Sequence, residues 1–292
     1  IKEDLNFFIN QIISKKKYRS KDINFILTGS TANIFNRIIN TNYKNKKIEN
    51  IIFSHENHFG FTNNHHLRFN DLQYADKYIC NGNVDKDEIL KYDNFSTLDK
   101  KFPKFISRSS KHNNFKKIPE IKNCILNLKG LYVPTRIELD VLNSSETFDH
   151  KKYIKWQNCL ISKSENIFVK VHPKQSENLV SKIDIKKIIK GDLKKEVEKF
   201  DYLIFDFISS NAFGESVISN KQIIYFDLGI SSFTEIGLKL LNERVHRINI
   251  DFNDSFKGLQ NFQNTKLTAK DNFFSHKFCN SNNIFFINKL LY

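Results

Sequence analysis

The chain has 292 residues, of which 40% are hydrophobic and 13% aromatic, and this content excludes a largely disordered polypeptide. No apolar run approaches the roughly 20 residues that cross a bilayer, which excludes a membrane-spanning helix within these residues. The formal net charge of +14 indicates either a compositional bias toward Lys and Asn or an anionic partner: nucleic acid, an acidic membrane surface or a phosphorylated substrate.

In the first part of the chain, short apolar segments alternate with a segment of helical periodicity. The pattern predicts a strand at 23–29, a helix at 31–43 and further strands at 48–55 and 75–82. Apolar runs of four to six residues with helices between them are typical of a parallel sheet covered on both faces. Residues 84–122 are polar, and we expect them to end one domain and to connect it to the next.

The same alternation resumes in the second part of the chain. The predicted strands are 124–128, 167–171, 184–192, 202–207 and 222–227, and the predicted helices are 152–163, 193–200, 211–220 and 231–242. In the helix at 152–163, the spacing of Tyr153, Trp156, Cys159 and Leu160 predicts one buried face. The elements together predict an α/β protein of two Rossmann-like, doubly wound domains, 1–120 and 121–292, that face each other across a cleft.

Two predicted strands end at groups suited to holding a phosphate. These are His172, Pro173 and Lys174 after the strand at 167–171, and Ser209, Ser210 and Asn211 after the strand at 202–207. We expect these two strands to be adjacent, because ligands of open parallel sheets bind beyond the carboxyl ends of the strands and a helix N-terminus attracts anions. A plain helix N-cap explains the serines equally, and an ordinary exposed strand end explains the His-Pro pair.

The residues around these groups resemble two bacterial enzyme families. "FVKVHPK" (168–174) and "FDYLIFDFISSNAFGESVISNKQIIYFD" (200–227) resemble the His-Pro and Ser-Ser motifs of bacterial sialyltransferases. They are equally similar to the "HP" and "D-x-L-I-x-D-x-S-S" signatures of CDP-glycerol glycerophosphotransferases, whose "LYAPTWR" stretch is similar to "LYVPTR" (131–136). The resemblance covers residues 124–227.

The resemblance implies the GT-B architecture, a cytidine nucleotide donor, and a role in bacterial capsule, lipopolysaccharide or teichoic-acid synthesis. It implies that His172, Ser209 and Ser210 bind the donor phosphate, with Thr135 and Arg136 beside it. The expected reaction is the transfer of a sugar acid, sialic acid or Kdo, from a CMP donor to a glycan or lipid-linked acceptor. The alternative within the same resemblance is transfer of glycerol phosphate from CDP-glycerol.

Several neighbouring residues of "FSHENHFGF" (53–61) are candidates for the catalytic base. Sialyltransferases have an acidic pair followed by Gly at a comparable strand end, and Glu56 is the only carboxylate here. Glycerophosphotransferases have a His-Gly instead, which would assign the base to His55 or His58. The same segment also fits a polar loop with incidental histidines, or a metal site built from His55, His58, His65 and His66.

We expect the reaction to need no metal or other cofactor, because His, Ser and a helix N-terminus suffice for a single-phosphate leaving group. Four widely spaced cysteines argue against a zinc site or a disulfide framework and indicate the cytoplasm. Lysine clusters such as that at 186–195 favour peripheral contact with the anionic inner face of the membrane. The alternative of another class is a non-catalytic, basic nucleic-acid-binding module, but no nucleic-acid motif supports such a partner.

Overall fold

A computed structural model describes residues 23–29, 34–45, 48–54, 62, 71–80, 87, 103–107, 117–134, 150–171, 185–208, 210–217 and 219–270. These residues belong to two compact units, one containing those from 23 to 107 except Thr62, the other containing Thr62 and those from 117 onward. Each unit is built around one parallel β-sheet. The predicted mixed α/β class with parallel sheets is therefore confirmed. No helix in the described part of the chain is long and apolar enough to cross a membrane.

The first unit holds a four-stranded sheet in which the strands follow one another in chain order. Its elements are β1 (Phe25–Thr28), α1 (Ile34–Asn45), β2 (Glu49–Phe53), β3 (Lys77–Cys80) and β4 (Lys104–Ser107). All three strand pairs are parallel. The three predicted strands and the predicted helix of this region are confirmed, with shorter strands than expected.

Strand β4 corrects the prediction that 84–122 is a polar connection. It pairs with β3 from Lys77↔Lys104 to Cys80↔Ser107. Only two residues of β4, Phe105 and Ile106, are apolar, and both are only half-buried. Two apolar residues are too few to show the hydrophobic periodicity of a strand, because strand prediction needs at least four alternating or apolar residues.

The second unit holds a six-stranded parallel sheet. Its strands are β5 (Gly130–Tyr132), β6 (Ile167–Lys170), β7 (Ile188–Ile189), β8 (Tyr202–Phe205), β9 (Gln222–Asp227) and β10 (His246–Asn249). Its helices are α2 (His150–Ile161), α3 (Leu193–Glu196), α4 (Asn211–Val217) and α5 (Glu235–Arg244). The strand order is β10-β9-β8-β5-β6-β7. The chain therefore runs outward from β5 to β7, returns to the other side of β5 at β8, and runs outward again, which is the doubly wound order.

The core of this unit follows directly from its apolar segments. All residues of β8 and β9 are buried, as expected for strands covered on both faces. On α2, Tyr153, Trp156 and Leu160 pack into the core, as their spacing predicts. Cys159, which we predict on the same face, is instead exposed. Its position lies at the border of the apolar stripe, because three residues after Trp156 it is about 60° short of a full turn.

The predicted strand at 124–128 is wrong by several residues. Residues Ile125–Asn127 form a 3-10 turn, and the strand is β5, which starts at Gly130. A Cβ atom at position 130 would lie 2.5 Å from the ring of Tyr202 on the adjacent strand. Glycine is needed here because of this close approach, and glycine is also why the segment does not look like a strand.

Two backbone bridges join the beginning of the second unit to its end. Ile118 and Lys270 exchange backbone hydrogen bonds of 3.0 and 3.1 Å, and the Ile121 amide donates to the Leu267 carbonyl at 2.8 Å. Ile118 and Leu267 are buried. Residues 117–120, which we predict in the N-terminal domain, lie in the second unit for this reason.

A buried histidine and glutamine lie at the start of β9 and β10. His246 Nε2 is 2.9 Å from Gln222 Oε1, so the matching tautomer carries its proton on Nε2. The Gln222 amide nitrogen donates to the carbonyls of Pro119 at 2.6 Å and Thr268 at 2.9 Å. Burial, followed by the positive charges of Lys270 and Arg244, lowers the pKa of His246 to about 4. The folded protein therefore holds a neutral imidazole here.

This histidine should make the protein less stable as the pH falls from about 6.5 to about 4. In that window the unfolded state takes up a proton at His246 that the folded state does not bind. The free energy of unfolding therefore decreases as the pH decreases. The lowered pKa corresponds to a decrease of up to about 3 kcal/mol in the free energy of unfolding at the lower end of this pH range. Urea unfolding at several pH values, for wild type and His246→Gln, measures this contribution. Equal pH slopes for the two proteins would contradict it.

Candidate functional site

The strand order places a topological switch point between β5 and β8. From β5 the chain first moves to β6 on one side, and later returns to β8 on the other. Open parallel sheets bind ligands outside the carboxyl ends of their strands at such a point. Tyr132 ends β5, and Asp206 directly follows β8. The carboxyl edge around these two residues is therefore the candidate site.

The strand register decides which predicted motifs share this edge. Tyr132 of β5 pairs with Val169 on one side and with Ile204 on the other. The His-Pro and Ser-Ser motifs follow β6 and β8, which we expect to be adjacent. They are not adjacent, because β5 lies between them. Since neighbouring strands are about 4.8 Å apart, the two strand ends are separated by roughly 10 Å. The segment that follows β5, "VPTR", thus begins between them.

Most of the predicted site residues lie outside the described residues. They are His55, Glu56, His58, Thr135, Arg136, His172, Pro173, Lys174 and Ser209. Asn211 is described only as the first residue of α4. The roles of all these residues stay predictions.

Ser210 is the predicted phosphate residue that the structure describes, and it caps α4. Its Oγ accepts a hydrogen bond of 3.1 Å from the Phe213 amide, and its carbonyl accepts one from Gly214. This is the geometry of a helix N-cap, the simpler of the two interpretations of the serine pair. A phosphate role for Ser210 stays a prediction, and it would have to share the hydroxyl oxygen with the cap.

A buried carboxylate with three hydrogen-bond donors lies at the switch point. Asp206 Oδ2 accepts from the Tyr132 hydroxyl, from the Tyr153 hydroxyl at 2.8 Å and from Trp156 Nε1 at 3.0 Å. All four side chains are at most 1% exposed. We call these four residues the Asp206 network. A buried carboxylate costs several kcal/mol unless donors replace its water, and the three donors supply that replacement at Oδ2.

The two tyrosines of the network keep their protons across the physiological range. Burial, followed by the charge of Asp206, raises the pKa of Tyr132 and of Tyr153 well above the ordinary value for tyrosine. Both hydroxyls are therefore permanent donors to the carboxylate. The network connects β5, α2 and the end of β8, which are three separate segments of the chain.

A buried lysine ends β6, two residues before His172. Lys170 is 6% exposed, and its Nζ donates to the Val171 carbonyl at 3.2 Å. Burial lowers the pKa of Lys170, while the carboxylates of Glu196 and Asp192 act in the opposite direction. Nothing in the sequence indicates this burial, because a lysine within an apolar run is usually an exposed edge position.

An ion pair closes the carboxyl edge at β9 and β10. Arg247 Nε and Nη2 both donate to Asp227 Oδ2, at 2.9 and 2.6 Å, and the Gly229 amide donates to Oδ1 at 2.9 Å. The guanidinium also lies over the ring of Phe233, with 5.9 Å between its central carbon and the ring centroid. These contacts satisfy both charges locally, so Asp227 holds the edge together.

A second buried charge lies beyond the end of α4. Arg244 is 0% exposed. Its Nε donates to the Val217 carbonyl at 2.8 Å, and its Nη2 donates to the carbonyls of Ser219 and Lys221 at 3.0 Å each. Burial lowers the pKa of the guanidinium to about 9, so it stays protonated at neutral pH. A cation at a helix C-terminus satisfies carbonyls that the helix leaves free.

A cavity of about 230 Å³ lies at the opposite edge of the sheet. Its lining includes Asp201, Lys221 and Gln222, which precede or begin β8 and β9. Ligands of doubly wound sheets do not bind at this amino edge, so we keep the candidate site at the switch point. Within the described ranges, no group of three or more His, Cys, Asp or Glu side chains is placed to hold a metal ion.

Comparison with known proteins gives a likeness of fold. The chain matches no protein-family profile and no curated protein. Among solved structures it is similar to an S. aureus MnaA–UDP co-structure, with 10% sequence identity, a TM-score of 0.53, and coverage of 99% of this chain and 80% of that chain. At this identity the likeness shows the fold alone: a mixed α/β protein with parallel sheets.

Proposed function

We propose that this protein is a nucleotide-sugar-dependent enzyme that binds a pyrimidine nucleotide at the carboxyl edge of the six-stranded sheet. The observation that carries the proposal is the doubly wound order with a switch point between β5 and β8. Dinucleotide and nucleotide ligands bind such sheets at that point. The likeness in fold to a structure that contains UDP supports the same ligand class.

More specifically, we propose that the protein is a metal-independent glycosyltransferase. It transfers a sugar acid from a CMP donor to a glycan acceptor in the synthesis of bacterial surface polysaccharide. The support is the resemblance of the His-Pro and Ser-Ser motifs, which follow strands β6 and β8 on either side of β5. His172 and Ser209 would hold the departing phosphate, and Glu56 or a histidine beside it would take the acceptor proton.

A second candidate is an enzyme that uses a UDP-linked sugar. The observation in its favour is the nucleotide in the neighbouring structure, which is UDP. Uridine and cytidine nucleotides share the ribose, the phosphate and a pyrimidine ring, so the same edge of the sheet serves either. The base and the number of phosphates therefore separate the two candidates.

Thermal unfolding with a panel of nucleotides tests the proposal. CMP, CDP, UMP or UDP at 100 times its dissociation constant should stabilise the protein by about 2.7 kcal/mol, which raises the melting temperature by roughly 5–10 °C. ADP and GDP should leave it unchanged. At one common concentration, a larger effect of CMP than of UDP supports the CMP-sugar enzyme, and the reverse supports the UDP-sugar enzyme. The shift should persist in EDTA.

Equal stabilisation by purine and pyrimidine nucleotides would contradict a pyrimidine site. Strongly salt-dependent binding of DNA or RNA, without any nucleotide effect, would instead favour the nucleic-acid-binding alternative.

His172→Ala should weaken nucleotide binding by about 10- to 100-fold. The reason is that a hydrogen bond to a charged phosphate is worth about 1.5–3 kcal/mol. Calorimetric titration of the best nucleotide of the panel measures the change. His112→Ala is the matched control, because His112 lies in the polar segment 84–122, outside every predicted motif. Unchanged affinity of His172→Ala would remove His172 from the site.

A further inference from the structure

We propose that the Asp206 network is a positioning device for the proposed nucleotide site, and that it reports occupancy of that site through Trp156. The proposal rests on the proposed function, because it concerns how the same edge of the sheet is held ready for a nucleotide. It adds residues that touch no ligand themselves and act through the segments to which they are joined.

The first argument is the place of the network in the sheet. Tyr132 is the last residue of β5 and Asp206 directly follows β8, so the carboxylate joins the two strands on either side of the switch point. Tyr132 is two residues before Pro134, and Asp206 is four residues before Ser210, which caps α4. Any shift of the carboxylate therefore moves the start of both segments that carry predicted phosphate residues.

The second argument is that packing alone does not require a carboxylate here. The surrounding core is apolar and aromatic, including Ile204 and Phe226, both 0% exposed. Replacing buried ionic groups by apolar residues of similar volume is often neutral or stabilising. Here one carboxylate oxygen accepts three hydrogen bonds, and these bonds fix the three donors in direction as well as in distance. An apolar contact does not fix direction in this way.

The third argument is that the two tyrosine hydroxyls of the network stay protonated. The tyrosine hydroxyls remain protonated at physiological pH, because burial and the nearby carboxylate raise their pKa values. The hydrogen bonds from β5 and α2 to Asp206 are therefore present whether or not a ligand binds. A rigid support of this kind suits a site in which phosphate donors must be placed before the nucleotide arrives.

The network also contains its own reporter. Trp156 is the only tryptophan of the chain, and its Nε1 donates directly to the Asp206 carboxylate. Its ring packs edge-on against Phe226 and Phe256, with centroids 5.2 and 5.7 Å away. Indole emission depends on the hydrogen bond of the ring nitrogen and on nearby charge. The phosphate of a nucleotide bound beyond β5 and β8 adds negative charge near the indole, so it will change this emission even while the hydrogen bond to Asp206 stays in place.

The test is a titration of the whole protein with CMP and UDP, followed by tryptophan emission and by calorimetry. Tyr132→Phe removes one donor and keeps the ring, and Asp206→Asn removes the charge and keeps the shape. Each should weaken nucleotide binding about tenfold and reduce the emission change that the nucleotide causes. Tyr202→Phe is the matched control, because Tyr202 begins β8 at the opposite edge and its buried hydroxyl has no hydrogen-bond partner among the described residues.

The outcomes separate the positioning role from the proposed function. Weaker binding and a smaller emission change in Tyr132→Phe, with Tyr202→Phe like wild type, support the positioning role. If CMP or UDP binds wild type and Tyr132→Phe with the same affinity and emission change, the positioning role is overturned and the nucleotide site stands. An equal loss of nucleotide affinity in Tyr202→Phe overturns the positioning role as well. If neither nucleotide binds wild type, both proposals fail.

Discussion

Asp206→Ala should lower the free energy of unfolding by about 3–5 kcal/mol. The substitution leaves three buried donors, the hydroxyls of Tyr132 and Tyr153 and the indole N–H of Trp156, without their acceptor. Each buried polar group that loses its partner costs about 1–3 kcal/mol, and the three losses do not add fully because they share one site. Urea unfolding followed by far-UV circular dichroism measures the change.

Two further variants show whether the loss comes from these donors. Asp254→Ala is the control: Asp254 is exposed, so its substitution should change stability by no more than about 0.5 kcal/mol. Adding Tyr132→Phe and Tyr153→Phe to Asp206→Ala should recover part of the lost stability, because the unsatisfied hydroxyls are then removed. A triple variant that is less stable than Asp206→Ala would contradict this explanation.

Arg244→Met is expected to be nearly as damaging, at about 3–4 kcal/mol. The long apolar side chain fills much of the space, but the carbonyls of Val217, Ser219 and Lys221 lose their donor inside the protein. The turn between α4 and β9 then keeps only contacts such as the hydrogen bond of 2.7 Å from Ser219 Oγ to the Ser216 carbonyl, so we expect the loss to include local rearrangement of this turn. Thermal and urea unfolding together measure the stability change.

Lys239→Met is the matched control for Arg244→Met. Lys239 lies on the same helix, α5, but it is exposed, so losing its charge should cost no more than about 0.5 kcal/mol. Similar losses for both variants would mean that net charge, and not the buried hydrogen bonds, accounts for the effect of Arg244.

The sequence predicts the second unit's sheet best where the strands are buried on both faces. Strand β9 is found at the predicted bounds, 222–227, and β8 differs only at its end. Both are continuous apolar runs followed by polar residues, a pattern that few other structures produce. The N-cap interpretation of Ser210 also follows from local chemistry, because a cap needs only a hydroxyl and the three residues after it.

The sequence fails where the deciding contact comes from elsewhere in the chain. The glycine that starts β5 is explained only by the ring of Tyr202 on the neighbouring strand. Asp206 stands in the "DFISS" motif as one more acidic residue, and nothing local shows that its three donors come from β5 and α2. Arg244 looks like an ordinary charged residue at a helix end, and its burial depends on a turn more than twenty residues earlier.

During synthesis, β5 leaves the ribosome well before β8, the strand that completes its pairing. Lys129, just before β5, and Asp201, just before β8, are hydrogen-bonded across 72 residues of chain. At a synthesis rate of about 5–20 residues per second, one edge of β5 stays unpaired for roughly 4–14 s before β8 is made. An unpaired strand edge invites pairing with other chains. Because β5 has only three residues and begins with glycine, it offers a short and weak template in that interval.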